Sequence, residues 1–185
     1  MIRTIRLVWI MSWDRFESYY LIAYPPETIV DSVISWGYDH IDCENFFHDP
    51  IDPSFGREKN IHLTILGNIE DTSHEKFKKI IGEEETIICK MGKIKLFKNN
   101  SKYDVVHIEV VNDSINILNK NLSQSIKNTN KFPLYIPHIT IAYVKKGYGD
   151  KFLDDTYFEG QEFKIDELVL SLSLKEQSVY KLGKK

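Results

Sequence analysis

The sequence predicts an α+β fold, one domain over residues 1–185 made of two comparable lobes. Three observations lead there. Runs of β character alternate with amphipathic helical segments in both halves of the chain. No linker or low-complexity stretch separates the halves. Each half also holds a strand-like run headed by His-x-Thr, namely His62-Leu63-Thr64 and His138-Ile139-Thr140.

Residues 1–17 contain the apolar run Ile5-Arg6-Leu7-Val8-Trp9-Ile10-Met11, too short to span a bilayer. Trp13-Asp14-Arg15 follows in place of a small-residue cleavage site, so the segment reads as an N-terminal extension or an extra strand and not as a signal. Tyr19 to Tyr24 is a β-type run stopped by Pro25-Pro26. Ile29, Val30, Val33 and Ile34 then recur with a helical period that ends near Gly37. The polar stretch from Asp39 to Asn60, with Pro50, Pro53 and Gly56, reads as a loop leading to the first motif.

Ile61 to Leu66 is the first motif strand, ended by Gly67-Asn68, and Ser73 is a candidate cap for a helix to about Ile81. Two strands are expected next, 86–97 with a break near Met91-Gly92, and 103–111, with Asn99-Asn100-Ser101-Lys102 as the turn. Asp113 or Ser114 caps a second helix with Ile115, Ile117, Leu118, Leu122 and Ile126 on one face. Pro133 precedes the second motif strand, 137–144, and Gly147-Tyr148-Gly149 lies in a loop. The chain finishes with strands around 163–174 and 178–182.

A formal net charge of −3 excludes a protein that coats long double-stranded nucleic acid by bulk electrostatics, while leaving room for a small nucleotide. The two cysteines, Cys43 and Cys89, are far apart, which argues against a disulfide framework or metal knuckle and fits a reducing, cytoplasmic compartment. No pair among the six histidines has the spacing of a helical zinc site. Neither a metal, a cofactor nor a membrane is expected, and oligomeric state is not legible.

Strand alternation places His62 with Thr64 on one face, opposite Ile61, Leu63 and Ile65. It places His138 with Thr140, opposite Ile139, Ile141 and Tyr143. Two imidazoles and two hydroxyls converging on a sheet suit phosphodiester cleavage. A neutral histidine takes a proton from the attacking water or ribose hydroxyl, and a protonated one supplies the leaving oxygen. A pKa near ~6.5 allows both forms at neutral pH. Threonine hydroxyls can donate to the phosphoryl oxygens as charge shifts.

The pair His62-Leu63-Thr64-Ile65-Leu66 and His138-Ile139-Thr140-Ile141-Ala142 resembles the twin His-x-Thr-x-hydrophobic signature of the 2H phosphoesterase superfamily. The resemblance implies a bilobal fold of two mainly antiparallel sheets forming a central cleft, with helices outside. It also implies 2′,3′-cyclic, 2′–5′ or 3′–5′ phosphodiester substrates, with His62 and His138 as acid and base and Thr64 and Thr140 holding the phosphate. Within the superfamily, the run from Pro137 to Gly147, with Lys145-Lys146, is similar to phage anti-CBASS nucleases, which degrade cyclic di- and trinucleotide immune signals. RNA-end cyclic phosphodiesterases, 2′–5′ oligoadenylate-cleaving relatives and a non-catalytic nucleotide sponge are the alternatives.

Further candidates surround the motifs. Lys145 and Tyr148 are placed at a cleft rim, and Tyr20 and Tyr24 on one face of the first strand. The resemblance to the phage enzymes implies Glu176 and Tyr180 on the last strand as a base-edge acceptor and a stacking ring. His40, His48 and His74 read as surface residues, and Trp36 and Phe97 as core. His107 shares a face with Glu109, so a polar contact between sheet neighbours is expected there.

Overall fold

The computed structural model describes residues 19–71, 73–130, 134–172 and 176–183, and for Leu172, Glu176 and Gln177 the backbone alone. The expected N-terminal extension and the turn at Pro133 lie outside the described residues.

The strands are β1 (Tyr19–Ala23), β2 (Leu63–Ile69), β3 (Ile87–Phe97), β4 (Tyr103–Val111), β5 (His138–Lys145), β6 (Glu162–Ile165), β7 (Glu167–Leu172) and β8 (Glu176–Lys181). The helices are α1 (Glu27–His40), α2 (His74–Gly82) and α3 (Asp113–Ser125). Pro25-Pro26 ends β1 as anticipated, and the Pro26 carbonyl starts α1 by accepting from Ile29 and Val30. The α3 cap is Asn112, one residue before the expected pair, and its Oδ1 accepts from the Ile115 N–H at 3.0 Å. Ile117, expected on the apolar face of α3, is instead exposed. Ser73 precedes α2 without a side-chain cap bond; its carbonyl accepts from Lys76 and Phe77.

Where two sheets were expected, the described strands make one antiparallel sheet in the order β6-β3-β4-β5-β2-β1-β7-β8. The reason is visible at Asp166. β6 and β7 stand far apart in the strand order, yet one residue separates Ile165 from Glu167. Such a link spans only about 7 Å, so the sheet must curl until its ends meet. The hydrogen bonds from Leu182 N to Asp166 O and from Thr86 Oγ1 to Asp166 Oδ1 tie that closure.

The two expected lobes survive as two four-stranded halves, β6-β3-β4-β5 and β2-β1-β7-β8. Their join is thin. β5 pairs with β2 at the single position Leu63↔Ile139, whereas β4 and β5 pair over seven positions. Much of the remaining β5 edge is taken by the 43–60 loop. Glu58 N donates to Ile141 O, Tyr143 N to Gly56 O, and Phe47 N to Tyr143 O.

β5 also carries a bulge. Val106 pairs with Ala142 and His107 with Thr140, so Ile141 has no counterpart on β4. The extra residue reverses the alternation beyond it. Tyr143 therefore joins the face of His138 and Thr140, contrary to its expected place opposite them.

The helices cover the other face. A side chain at Gly37 of α1 would lie 3.2 Å from Ile141, Phe77 of α2 packs at a tilt against Tyr180, and Asn119 of α3 donates to Ile65 O. Leu63, Ile65, Val106, Ile108 and Ile139 are sealed beneath them. Leu63 fills this core at the thin join, so Leu63→Ala should lower the unfolding free energy by about 2–5 kcal/mol in a denaturant titration; a loss below ~1 kcal/mol would show that the join carries little.

Candidate functional site

The site follows from the one paired position between the halves. With Leu63 opposite Ile139 in an antiparallel pair, one step either way sets His62 across from Thr140 and Thr64 across from His138. Residues directly opposed have Cβ atoms about 4.5–5.5 Å apart. The four side chains thus form a crossed square on the face away from the helices. The imidazoles are close enough that charge on His62 disfavours charge on His138.

The backbone fixes both rings in the same way. His62 Nδ1 lies 2.5 Å from the carbonyl of Asn60, and His138 Nδ1 lies 2.7 Å from the carbonyl of Ile136, each two residues upstream. A carbonyl can only accept, so each Nδ1 carries the hydrogen and each Nε2 becomes the proton-exchanging atom. Pro137 supports the second anchor, since the residue before a proline is held extended. The Pro137 carbonyl is itself fixed by Val110 N at 3.0 Å.

The two histidines differ in surroundings. Burial, assisted by His62, holds the His138 pKa below its ordinary value against the opposing effect of the Ile136 bond. Phe97 meets the His138 ring edge-on at 4.8 Å and His107 does so at 5.2 Å. Phe97 is therefore on the histidine face and not in the core, because its pairing with Val105 carries it to the same side as His107. His107 is buried, stacks on Phe97 and reaches Val105 O, where a contact with Glu109 was anticipated. Glu109 turns toward β3, over Gly92, where a Cβ would stand 2.9 Å from its Oε2.

Tyr20 shares the face of Thr64, through Ile22↔Thr64, and its hydroxyl donates to Asn68 Oδ1 at 3.4 Å. Tyr24 accepts from Asn60 Nδ2, beside the His62 anchor. Tyr135 donates to the Thr64 carbonyl at 2.7 Å and so steadies the first motif. Thr140 is nearly sealed and Thr64 half-buried.

Three rim candidates are placed elsewhere. Tyr180 pairs with Leu168 on the helix side, packs at a tilt against Phe77 and bonds His74 at 2.6 Å, which makes it a core ring. Tyr148 packs against Phe152, a neighbour of Trp36, and its hydroxyl accepts from Lys151. Its half-turn lies on the helix side because Gly149 abuts Leu96 and Val106. Lys145 is exposed on the histidine face, seven residues along β5 and roughly 20 Å from His138. The Glu176 side chain lies outside the described residues.

Among the described residues, no three His, Cys, Asp or Glu side chains gather as a metal site. No described helix is long and apolar enough to cross a membrane.

This geometry meets solved structures. TT0787 of Thermus thermophilus superposes with a TM-score of 0.64 at 13% identity, over 91% of this chain and 99% of that one. LigT of E. coli, complexed with 3′-AMP, gives 0.55 at 16%, over 90% and 95%. Usb1 of Kluyveromyces marxianus, with uridine monophosphate, gives 0.54 at 9%, over 90% and 98%. Its fold is theirs. A further neighbour is described simply as a phosphoesterase, with a TM-score of 0.52 at 17% identity, over 90% and 96%. No family model matches the chain, and no curated protein does.

Burial also makes folding sensitive to acid. His107 is held down to about 3 by burial, then by charge on His138 and Lys95, against its bond to Val105. The unfolded histidine binds its proton near 6.5, so below that pH the unfolded state holds the extra proton. Stability should therefore fall as pH drops from about 6.5 toward 3, at about 1.4 kcal/mol per pH unit from this group. Urea titrations across that range should show the slope in the native protein and its loss in His107→Phe; an equal slope in both would assign it to other groups.

Proposed function

We propose that this chain is a phosphodiesterase of the 2H type that cleaves a cyclic or short oligonucleotide without a metal. The observation that carries the reading is the matched pair of anchors, Asn60 O on His62 Nδ1 and Ile136 O on His138 Nδ1. Two imidazoles held in one tautomer, on the diagonal of the square and each facing the other motif's threonine, form an acid–base pair in waiting. One Nε2 takes the proton of the attacking water or ribose hydroxyl. The other, protonated, delivers its proton to the leaving oxygen. Thr64 and Thr140 donate to the non-bridging oxygens, and the second anchor stays in place while the proton moves.

The finer reading is a cyclic di- or trinucleotide immune signal, the anti-CBASS reaction implied by the sequence resemblance. Tyr20 and Phe97 beside the motifs offer rings to a base. A 2′,3′-cyclic RNA end or a 2′–5′ linkage is the second reading, favoured by the mononucleotides carried by LigT and Usb1. Against a nucleotide sponge stands the anchored pair, which binding alone does not require.

His62→Ala and His138→Ala should each lose about 10²- to 10⁴-fold in rate while melting near the native protein. The measurement is mass spectrometry of products from cyclic di- and trinucleotides, 2′–5′ oligoadenylate and RNA ending in 2′,3′-cyclic phosphate. Full turnover by either variant would sink the reading. Activity should survive EDTA; loss with recovery on adding zinc or manganese would point to a metal enzyme.

A further inference from the structure

The proposed reaction gives no task to His107, an imidazole only 2% exposed. Three rings meet pairwise around it. Phe97 lies parallel on His107 at 3.9 Å and 16°, His138 meets His107 at 5.2 Å and 69°, and Phe97 meets His138 at 4.8 Å and 86°. An apolar ring would fill the same hole with less desolvation. The polar contact that His107 makes, Nδ1 to Val105 O, is long at 3.4 Å. With so modest a bond, the ring is held chiefly by its flat contact with Phe97.

That flat ring lies against a reacting group. His138 is tied through Nδ1, and a ring held at one atom can still tilt about its broad terminal torsion. Contacts on its flank remove that freedom. We propose that His107 is a positioning residue for His138: with Phe97 it builds a wall that fixes the His138 ring plane and keeps water from it, while itself remaining uncharged. The inference rests on His138 being a reacting group.

The electrostatics agree with the geometry. His107 stays neutral above about 3, so a proton arriving on His138 meets no second imidazolium behind it. The ionisable groups around the pair are His62 near the β2 start, Lys95 paired with His107 on β3, Glu109 on β4, and Tyr143 beyond the β5 bulge. Lys95 is itself bound to Asp154 at 2.6 Å. Burial outweighs their influence on both histidines.

The test compares His107→Phe, which keeps the wall, with His107→Ala, which opens it. NMR titration of the His138 imidazole needs no substrate. Its midpoint should stay at the native value in His107→Phe and move up toward the ordinary histidine value in His107→Ala. With 2′,3′-cyclic AMP as probe, or whichever panel nucleotide turns over, His107→Ala should lose about 10- to 100-fold in kcat with KM little changed. His107→Phe should stay within about threefold. Should His107→Ala not fold, His107→Val, shorter and without a flat ring, leaves part of the flank open and carries the same expectation.

An unmoved His138 midpoint in a folded His107→Ala or His107→Val protein would overturn the wall. So would a loss in His107→Phe as large as in His107→Ala, since a ring nitrogen would then be the needed feature. If His62→Ala and His138→Ala keep full activity while the midpoint still moves, the proposed reaction falls and the wall stands as structure alone.

Discussion

One backbone pairing, Leu63 opposite Ile139, decides where the chemistry-bearing side chains fall. Among the described strands, the two four-stranded halves meet along the ladder there and nowhere else. Slip β2 by one residue against β5 and His62 would face the helices. The apolar pair on the far side makes such a slip costly, because Leu63 and Ile139 are fully buried. The site is thus specified by the core rather than by contacts among its own polar groups.

The curl of the sheet is the second constraint, and the two depend on each other. A flat sheet could not join β6 to β7 through Asp166 alone. Once the outer strands meet, the halves are held together at their far ends, and the central join can remain thin. The 43–60 loop then supplies the hydrogen bonds that β2 does not give to β5. Its rings Phe47 and Phe55 pack on Tyr103 and Tyr143, which explains how so polar a loop stays down on the strand.

Much of this was legible beforehand because it depends on local pattern. The two motif strands, the helix after Pro25-Pro26, and the irregularity near Met91-Gly92 all follow from period and turn chemistry. The pairing of each histidine with its own threonine likewise needs only strand alternation. What escaped depends on non-local register. Tyr143 changed face because one residue bulges out of β5, and nothing in Thr140-Ile141-Ala142 announces it. Phe97 and His107 came to His138 through the β3–β4 and β4–β5 ladders, whose alignment the sequence leaves open. Tyr148 carried an expectation from its place after the second motif strand and Tyr180 one from resemblance, but Tyr180 falls on the helix side of its ladder and Tyr148 on a turn packed toward α1.

The anchors on His62 and His138 have one more consequence. In each case the ring is oriented by a peptide oxygen two residues back, a group that neither titrates nor changes when the side chain bearing it is replaced. The tautomer of each ring is thereby inherited with the path of the chain. Sequences can therefore drift widely around such a pair, in loops, rims and helices alike, so long as the two strands keep their course.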